Sequence, residues 1–278
     1  MKVTNRRTCF LCESIDINEE NIGDILVLRC NDCGFQHIPD NLKYLGEGYF
    51  SDYFQRDRSK LSSLNELRKK QYIIDEKFAA KYIIDGTSVL DVGCSSGDFL
   101  ATIYNSKKNL QIMGIDIDSS AIDFARNNYA SIGLFEEKNL LEVSCNKKFD
   151  TIIFRGTLQY LGDSLHDSMH YLKQLLNNDG KIIIFSLPST DAFMYYLLKD
   201  RWALFHPEMS LMFNESSIRR LSSKFRYHVE TLEYPYLDDV YANPKEDYEN
   251  VKKIILGEYS KSVPFWGSIM TVVLSKDI

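Results

Sequence analysis

The chain lacks any long hydrophobic run. No stretch approaches the roughly 18 consecutive apolar residues of a membrane-spanning helix, although 44% of its 278 residues are hydrophobic. Its first residues are charged and lead directly into cysteines, unlike the apolar core of a signal region. We therefore expect no membrane partner and a cytoplasmic location.

An excess of basic residues is also missing. Lys and Arg number 33 against 39 Asp and Glu, which gives a formal net charge of −6. Because domains that bind nucleic acid are more often basic, this balance predicts no nucleic-acid partner. The length allows one large domain with an appendage or two small domains, and it leaves the oligomeric state open.

Four of the six cysteines follow the spacing C-x2-C-x17-C-x2-C, at Cys9, Cys12, Cys30 and Cys33. Without a secretory signal this spacing predicts a zinc site, and a redox dithiol or disulfide pair is the alternative. The 17 intervening residues can form a hairpin, whose second strand is the apolar run at 25–28 before Cys30. Four thiolates leave no open position on zinc, so the role is structural rather than catalytic.

A strand, a glycine turn and a helix follow one another between residues 89 and 104. Gly93 lets the backbone approach a ligand closely, and Ser95 lies near a helix N-terminus that favours electron-rich groups. Nineteen residues beyond Gly97, a second core strand ends in Asp116, an acid placed to accept from ribose hydroxyls. The pattern predicts a ligand with an adenosine-like ribose.

The glycine spacing is not the G-x-G-x-x-G of nicotinamide-binding proteins. Asp91-x-Gly93-x-x-x-Gly97, followed by Asp116 and Ile117, resembles motif I and the second-strand acid of class I S-adenosylmethionine (SAM)-dependent methyltransferases. That family usually has D-x-G-C-G-x-G, and Ser95 replaces the middle glycine. The resemblance covers about residues 85–275. It implies SAM as cofactor and an α/β fold with a Rossmann-like sheet and helices on both faces, preceded here by the small zinc ribbon.

Further cofactor positions follow from the same resemblance. The family holds the adenine after the third strand, predicted at 132–135, where this chain has Asn139 and Leu140; a solvated loop asparagine is the alternative. After the fourth strand, 148–154, Leu158 fits the family, while Gln159 and Tyr160 replace its acid and histidine. The implied cofactor-binding residues are Asp91, Gly93, Ser95, Gly97, Asp116, Ile117, Asn139, Leu140 and Arg155.

The expected domain organisation has three parts. Residues 1–42 form the ribbon, 43–84 an aromatic segment (44–54) and a leading helix (61–84), and 85–278 the methyltransferase domain. The aromatic segment either packs between ribbon and domain or, as in similar ribbon methyltransferases, closes over the cofactor. Within the domain we expect a helix over 165–176 with a glycine stop at 178–180, a fifth strand over 181–186, and closing strands over 227–232 and 265–274.

A long insertion, 188–214, follows the fifth strand, where open α/β sheets bind substrates. Its aromatic residues could stack on a sugar or fold back as a cap; with Tyr160, the candidate substrate residues are Tyr195, Tyr196, Trp202 and Phe205. His206 is the candidate general base, although related chains carry their histidine where Met209 stands. Tyr160, Asp163 or a water are the alternatives, and His166 and His170 are expected on a helix surface.

Zinc-ribbon methyltransferases of this kind often serve carbohydrate or natural-product pathways, which implies O-methylation of a sugar, a nucleotide-sugar or a glycan precursor. The N-P-P-Y and D-P-P-Y motifs of base or glutamine N-methyltransferases and the Pro-Cys nucleophile of cytosine chemistry are absent. N- or C-methylation in a natural-product pathway is an alternative. Another is a non-catalytic binding protein, which the intact Asp91, Gly93, Gly97 and Asp116 disfavour.

Overall fold

The computed structural model describes residues 8–39, 63–258, 262 and 266–277. Its strands are β1 (Ile17–Ile22), β2 (Ile25–Cys30), β3 (Gln36–His37), β4 (Ser88–Val92), β5 (Gln111–Asp116), β6 (Gly133–Glu137), β7 (Phe149–Arg155), β8 (Leu176–Pro188), β9 (Leu211–Met212), β10 (Tyr227–Glu233) and β11 (Ile269–Lys276). Its helices are α1 (Ser63–Ala79), α2 (Asp98–Ser106), α3 (Ser119–Tyr129), α4 (Leu165–Leu175), α5 (Phe193–Leu198), α6 (Glu215–Lys224) and α7 (Pro244–Ile255). The aromatic segment at 44–54 and the boundary at 42–43 lie outside the described residues, so the division into domains stays a prediction.

A seven-stranded sheet has the strand order β10-β11-β8-β7-β4-β5-β6. Strands β4 to β8 are parallel, whereas β11 is antiparallel to both β8 and β10. The order reverses at β4, which lies between β5 and β7. The carboxyl ends of β4 and β7 therefore frame a topological switch point, the place where open α/β sheets bind ligands.

Both faces of this sheet are buried, because neighbouring residues of a strand point to opposite sides. Ile152 and Ile153 on β7, for example, belong to two different hydrophobic clusters. Helices α1, α2 and α3 contribute to the cluster around Ile153, and α4 and α6 to the cluster around Ile152. The expected α/β fold with helices on both faces is confirmed.

A second, four-stranded sheet has the order β1-β2-β3-β9. Strands β1 and β2 form the expected antiparallel hairpin, with Ile17 opposite Cys30. Strand β9 comes from the insertion and pairs with β3. The N-terminal module and the insertion thus share one sheet, a pairing that the sequence pattern does not predict.

The largest differences from the expected element boundaries lie at the junction of α4 and β8, at the end of α1 and in β11. The predicted glycine stop at 178–180 is wrong, because β8 begins at Leu176, directly after α4, and pairs there with Phe149. Helix α1 ends at Ala79 rather than 84, since the N–H groups of Tyr82 and Ile83 both bond the Ala79 carbonyl in a closing turn. Strand β11 spans Ile269–Lys276 instead of 265–274.

No helix among the described residues is both long enough and apolar enough to cross a membrane.

Candidate cofactor site

The loop between β4 and α2 lies at the switch point. Gly93 has φ 78°, and a Cβ there would lie 2.4 Å from Thr157 Oγ1, so only glycine lets the loop after β7 come this close. Gly97 has φ 77°, and its Cβ would lie 2.8 Å from the Phe135 ring. Gly97 thus permits the N-terminus of α2 to pack against β6.

A cavity of about 320 Å³ opens beside this loop. Eight of the nine residues expected to bind the cofactor line it: Asp91, Gly93, Ser95, Asp116, Ile117, Asn139, Leu140 and Arg155. Gly97 is not among the lining residues. The structure therefore brings together side chains from the ends of β4, β5, β6 and β7.

Asp91 is the most deeply buried acid of the cavity, with 2% of its surface exposed. Its Oδ1 has no hydrogen-bond partner among the described residues. Burial raises the pKa of Asp91 to about 7, the charge of Arg155 opposes that rise, and Asp116 adds to it. Because a buried acceptor without a partner is costly, this oxygen is suited to a cationic or N–H group of a ligand.

Arg155 ends β7 and lines the cavity on the side of α1. Its Nε donates to Asp75 Oδ2 at 2.9 Å, and its guanidinium lies 4.5 Å from the centre of the Tyr72 ring and 5.5 Å from that of Phe99. Asp75 also accepts from Gln71 Nε2 at 2.8 Å. Helix α1 therefore fixes the plane of the guanidinium in the cavity wall.

Asp116 closes the other end of the cavity. Its two oxygens accept backbone N–H groups of Ser95 at 2.8 Å and Asp118 at 3.0 Å, so it also shapes the glycine loop. Burial raises the pKa of Asp116, while these hydrogen bonds lower it. Each carboxylate oxygen has a second lone pair that can accept from a ribose hydroxyl.

Asn139 lies beside the cavity but has a local structural role. Its Oδ1 accepts from Leu141 N at 3.2 Å, and Glu142 Oε2 accepts from Asn139 N at 2.7 Å, a capping box around the 3₁₀ turn Leu140–Glu142. The side-chain oxygen of Asn139, at the position where the family holds the adenine, is thus engaged in a cap. Leu140, 2% exposed, lines the cavity as an apolar contact.

Three of the four insertion aromatics do not present a substrate surface. Tyr195, Trp202 and Phe205 are at most 5% exposed and pack in one hydrophobic cluster with Ile22 and Val27 of the N-terminal hairpin. Of the two alternatives, a stacking surface or a cap that folds back, the stacking surface is wrong for these three residues, because their rings pack between the insertion and the hairpin. The fourth, Tyr196, is 48% exposed.

The candidate base is not brought to the cavity either. His206 is exposed and is not one of the lining residues, whereas Tyr160, from the 3₁₀ turn Leu158–Tyr160, does line the cavity. His166 and His170 lie on α4 with ring centres 4.8 Å apart, as expected of helix histidines. Of the candidate acceptor-side residues, the geometry thus places Tyr160 at the cavity.

The sequence interpretation missed Tyr72, Asp75, Phe99 and Thr157. Phe99 and Thr157 adjoin motifs that it recognised, and both line the cavity. Tyr72 and Asp75 belong to an amphipathic helix whose pattern shows a buried face but not its partner. Only the docking of α1 over Arg155 reveals their place.

The four cysteines of the N-terminal spacing converge in the structure. Their Sγ atoms all lie within 4.8 Å of one another, with Cys9 and Cys33 3.6 Å apart and Cys12 and Cys30 3.4 Å apart. Bonds of about 2.3 Å to a tetrahedral zinc put thiolates about 3.8 Å apart, so the donor set fits that ion. The pKa of Cys9 is lowered to about 5 by the hydrogen bond with Cys33, and the same contact raises the pKa of Cys33.

The strand order, the glycine loop and the cavity at the switch point define a Rossmann-like fold with its candidate ligand site where such folds bind nucleotides. A family profile described as a methyltransferase domain matches residues 83–226, more than half of the chain. The chain belongs to this methyltransferase family, in its class I form.

Among curated proteins, the putative methyltransferase 235L of Invertebrate iridescent virus 6 is 25% identical over 149 residues, which cover 52% of this chain and 56% of that protein. The carboxy-S-adenosyl-L-methionine synthase of Campylobacter lari is 32% identical over 102 residues, 35% of this chain and 43% of that protein. The chain thus spans about half the length of these relatives.

Among solved structures, magnesium protoporphyrin IX methyltransferase from Synechocystis PCC 6803 with bound S-adenosylhomocysteine (SAH) aligns with a TM-score of 0.58 and 14% identity. The alignment covers 84% of this chain and 99% of that one. At this identity the likeness concerns the fold.

Proposed function

We propose that this chain binds SAM in the cavity at the switch point and transfers its methyl group to a small-molecule acceptor. The observation that carries the proposal is the placement of charge along the cavity. Asp91, whose Oδ1 has no hydrogen-bond partner in the described part of the chain, and Arg155 suit the ammonium and carboxylate of a methionine group, and Asp116 suits the ribose. Membership of the methyltransferase family and the SAH bound in the Synechocystis protein support it.

The bound cofactor would supply an activated methyl group on a sulfonium. Because displacement at that carbon needs in-line approach rather than a protein nucleophile, the contribution of this chain is orientation. Arg155, held by Asp75 and Tyr72, and the glycine loop, held by Asp116, fix the two ends of the cavity. Tyr160 lies at the cavity, where its hydroxyl could orient an acceptor or take its proton.

For the acceptor, we propose an oxygen nucleophile on a sugar, nucleotide-sugar or glycan precursor, on the strength of the ribbon resemblance. Stacking of aromatic rings on a sugar does not support this acceptor, because Tyr195, Trp202 and Phe205 are buried. The cavity volume is at the lower end of ligand pockets, about 300 to 1,000 Å³, so a cofactor would fill most of it. Tyr72, Tyr160 and Ser164, which line the cavity, are the residues that we propose contact the acceptor.

The test is calorimetric titration of SAH into the wild type and two variants. Asp116→Ala should weaken binding roughly 10-fold to 150-fold, because charge-assisted hydrogen bonds worth about 1.5 to 3 kcal/mol are lost. Asp123→Ala, at an exposed site on α3, should bind like the wild type. Absence of SAH binding by the wild type would contradict the proposal. Mass spectrometry of ligand released from the purified protein would separate SAM from a carboxylated derivative.

We also propose that Cys9, Cys12, Cys30 and Cys33 hold one structural zinc. The convergence of four thiols at near-tetrahedral spacing supports this. Metal analysis of protein purified without added zinc should find about one equivalent. A stably folded protein with four free thiols and no metal would contradict it.

A further inference from the structure

The N-terminal module with the four cysteines, residues 8–39 and here called the four-cysteine module, is connected to the insertion by backbone hydrogen bonds between strands. Three residues after Cys33, β3 pairs with β9, with Gln36 opposite Met212. Ile38 N then donates to Ser210 O at 3.0 Å. Side chains reinforce the contact, since Tyr195 Oη donates to Gln36 Oε1 at 2.7 Å in a buried position. The position of β9 therefore depends on where the cysteine cluster holds β3.

The residue before β9 in turn contacts the loop that follows β7. Ser210, which is buried, donates from Oγ to the carbonyl of Gln159 at 3.2 Å. A Cβ built on Gly162 would lie 3.4 Å from the same hydroxyl oxygen. Gln159 is itself only 6% exposed, so the loop is buried at the point where it contacts Ser210.

That loop forms one wall of the cofactor cavity. Thr157, Tyr160 and Leu161 line the cavity, and Tyr160 N bonds Thr157 O at 2.9 Å. Thr157 also lies close to Gly93, since a Cβ built on Gly93 would be only 2.4 Å from Thr157 Oγ1. A shift of the loop would therefore change both the cavity wall and its fit to the glycine turn.

We infer that the four-cysteine module braces the cofactor cavity, with Ser210 and Gln159 as positioning residues between β9 and the wall formed by Thr157 and Tyr160. Metal bound by the cysteines and cofactor bound in the cavity then stabilise the same arrangement of this loop. The inference rests on the proposed function, because it needs both ligands to bind. Linkage requires that each ligand raises the affinity for the other by the same factor.

The experiment measures that factor in both directions on the full chain. SAH affinity is determined by calorimetry with zinc bound and after removal by a chelator, and zinc affinity by chelator competition with and without SAH. We expect both measurements to give one factor within about 5-fold to 150-fold. Hydrogen exchange of residues 156–164 should be faster in the metal-free protein. A factor of one in a protein that binds both ligands would overturn the inference.

The positioning role is tested with Ser210→Ala, and Ser222→Ala is the matched control. Ser222 is also buried and bonds a carbonyl, that of Ile218, but within α6. We expect zinc-loaded Ser210→Ala to retain its metal, bind SAH roughly twofold to tenfold more weakly and show faster exchange at 156–164. The control should match the wild type in all three.

The outcomes separate the inference from the proposed function. A wild type that binds no SAH or no zinc contradicts the proposed function. If chelation unfolds the protein, the SAH affinities of the zinc-loaded variants are compared instead. Weaker SAH binding by Ser210→Ala, with Ser222→Ala unchanged from the wild type, supports the inference. SAH affinity equal in Ser210→Ala, Ser222→Ala and the wild type overturns it.

Discussion

Replacing Asp91 by Asn should stabilise the ligand-free protein while it weakens cofactor binding. The carboxyl group is buried, and its pKa is raised from 3.8 to about 7 by desolvation. Between pH 3.8 and about 7 the folded state binds more protons than the unfolded state, so the free energy of unfolding falls as pH rises through this range. At 1.36 kcal/mol for each pKa unit, the full rise corresponds to about 4 kcal/mol. The amide of Asn is also a polar group whose burial is costly, so the variant recovers only part of this free energy. We expect its free energy of unfolding to be higher than that of the wild type by about 1 to 3 kcal/mol at pH 8.

The assay is urea unfolding of the ligand-free wild type and Asp91→Asn from pH 4 to 9. The difference in unfolding free energy should be small near pH 4, grow as pH rises towards 7, and be constant above pH 7, where the folded-state carboxyl is ionised. SAH should stabilise the wild type more than the variant, since only a carboxylate pairs with an ammonium group. A difference that does not change with pH would refute the reasoning.

Two further predictions concern other residues of the cavity. Arg155→Gln should weaken SAH binding roughly 10-fold to 150-fold but leave affinity for methylthioadenosine, which lacks the amino-acid end, unchanged. Arg219→Gln, at an exposed ion pair, is the control, and equal loss for both ligands would contradict the assignment. Ser95→Gly should raise stability by roughly 1 kcal/mol, measured by thermal unfolding, because Ser95 has φ 47°. Ser106→Gly, at the end of α2, should not stabilise.

The loop from Asp91 to Gly97 shows how much of the site the sequence alone predicts. Its spacing identifies the end of β4, the start of α2 and the ligand class, since a turn of this kind needs glycines at fixed positions. Asp116, at the end of β5, follows from the length of one strand–helix–strand unit. The structure adds that Asp116 also holds the loop through Ser95.

The insertion shows where pattern reasoning ends. Aromatic density at Tyr195, Trp202 and Phe205 is compatible with a stacking surface or with a packed core, and the sequence offers no way to choose. The structure buries these rings against the N-terminal hairpin. His206 likewise has the chemistry of a base, but its exposed position away from the cavity lining depends on how the insertion folds.

Local features of the sequence predict the fold class, the four-cysteine cluster and the glycine loop, because hydrophobic periodicity and the positions of Gly and Cys residues act within short stretches of the chain. Gly93, which directly follows β4 and opens the glycine turn, is such a case. Tertiary structure decides which distant surfaces meet. It places Asp75 of α1 on Arg155 and pairs β3 with β9. These contacts join residues about 80 and 175 positions apart, and they depend on the packing of complete elements rather than on any local pattern.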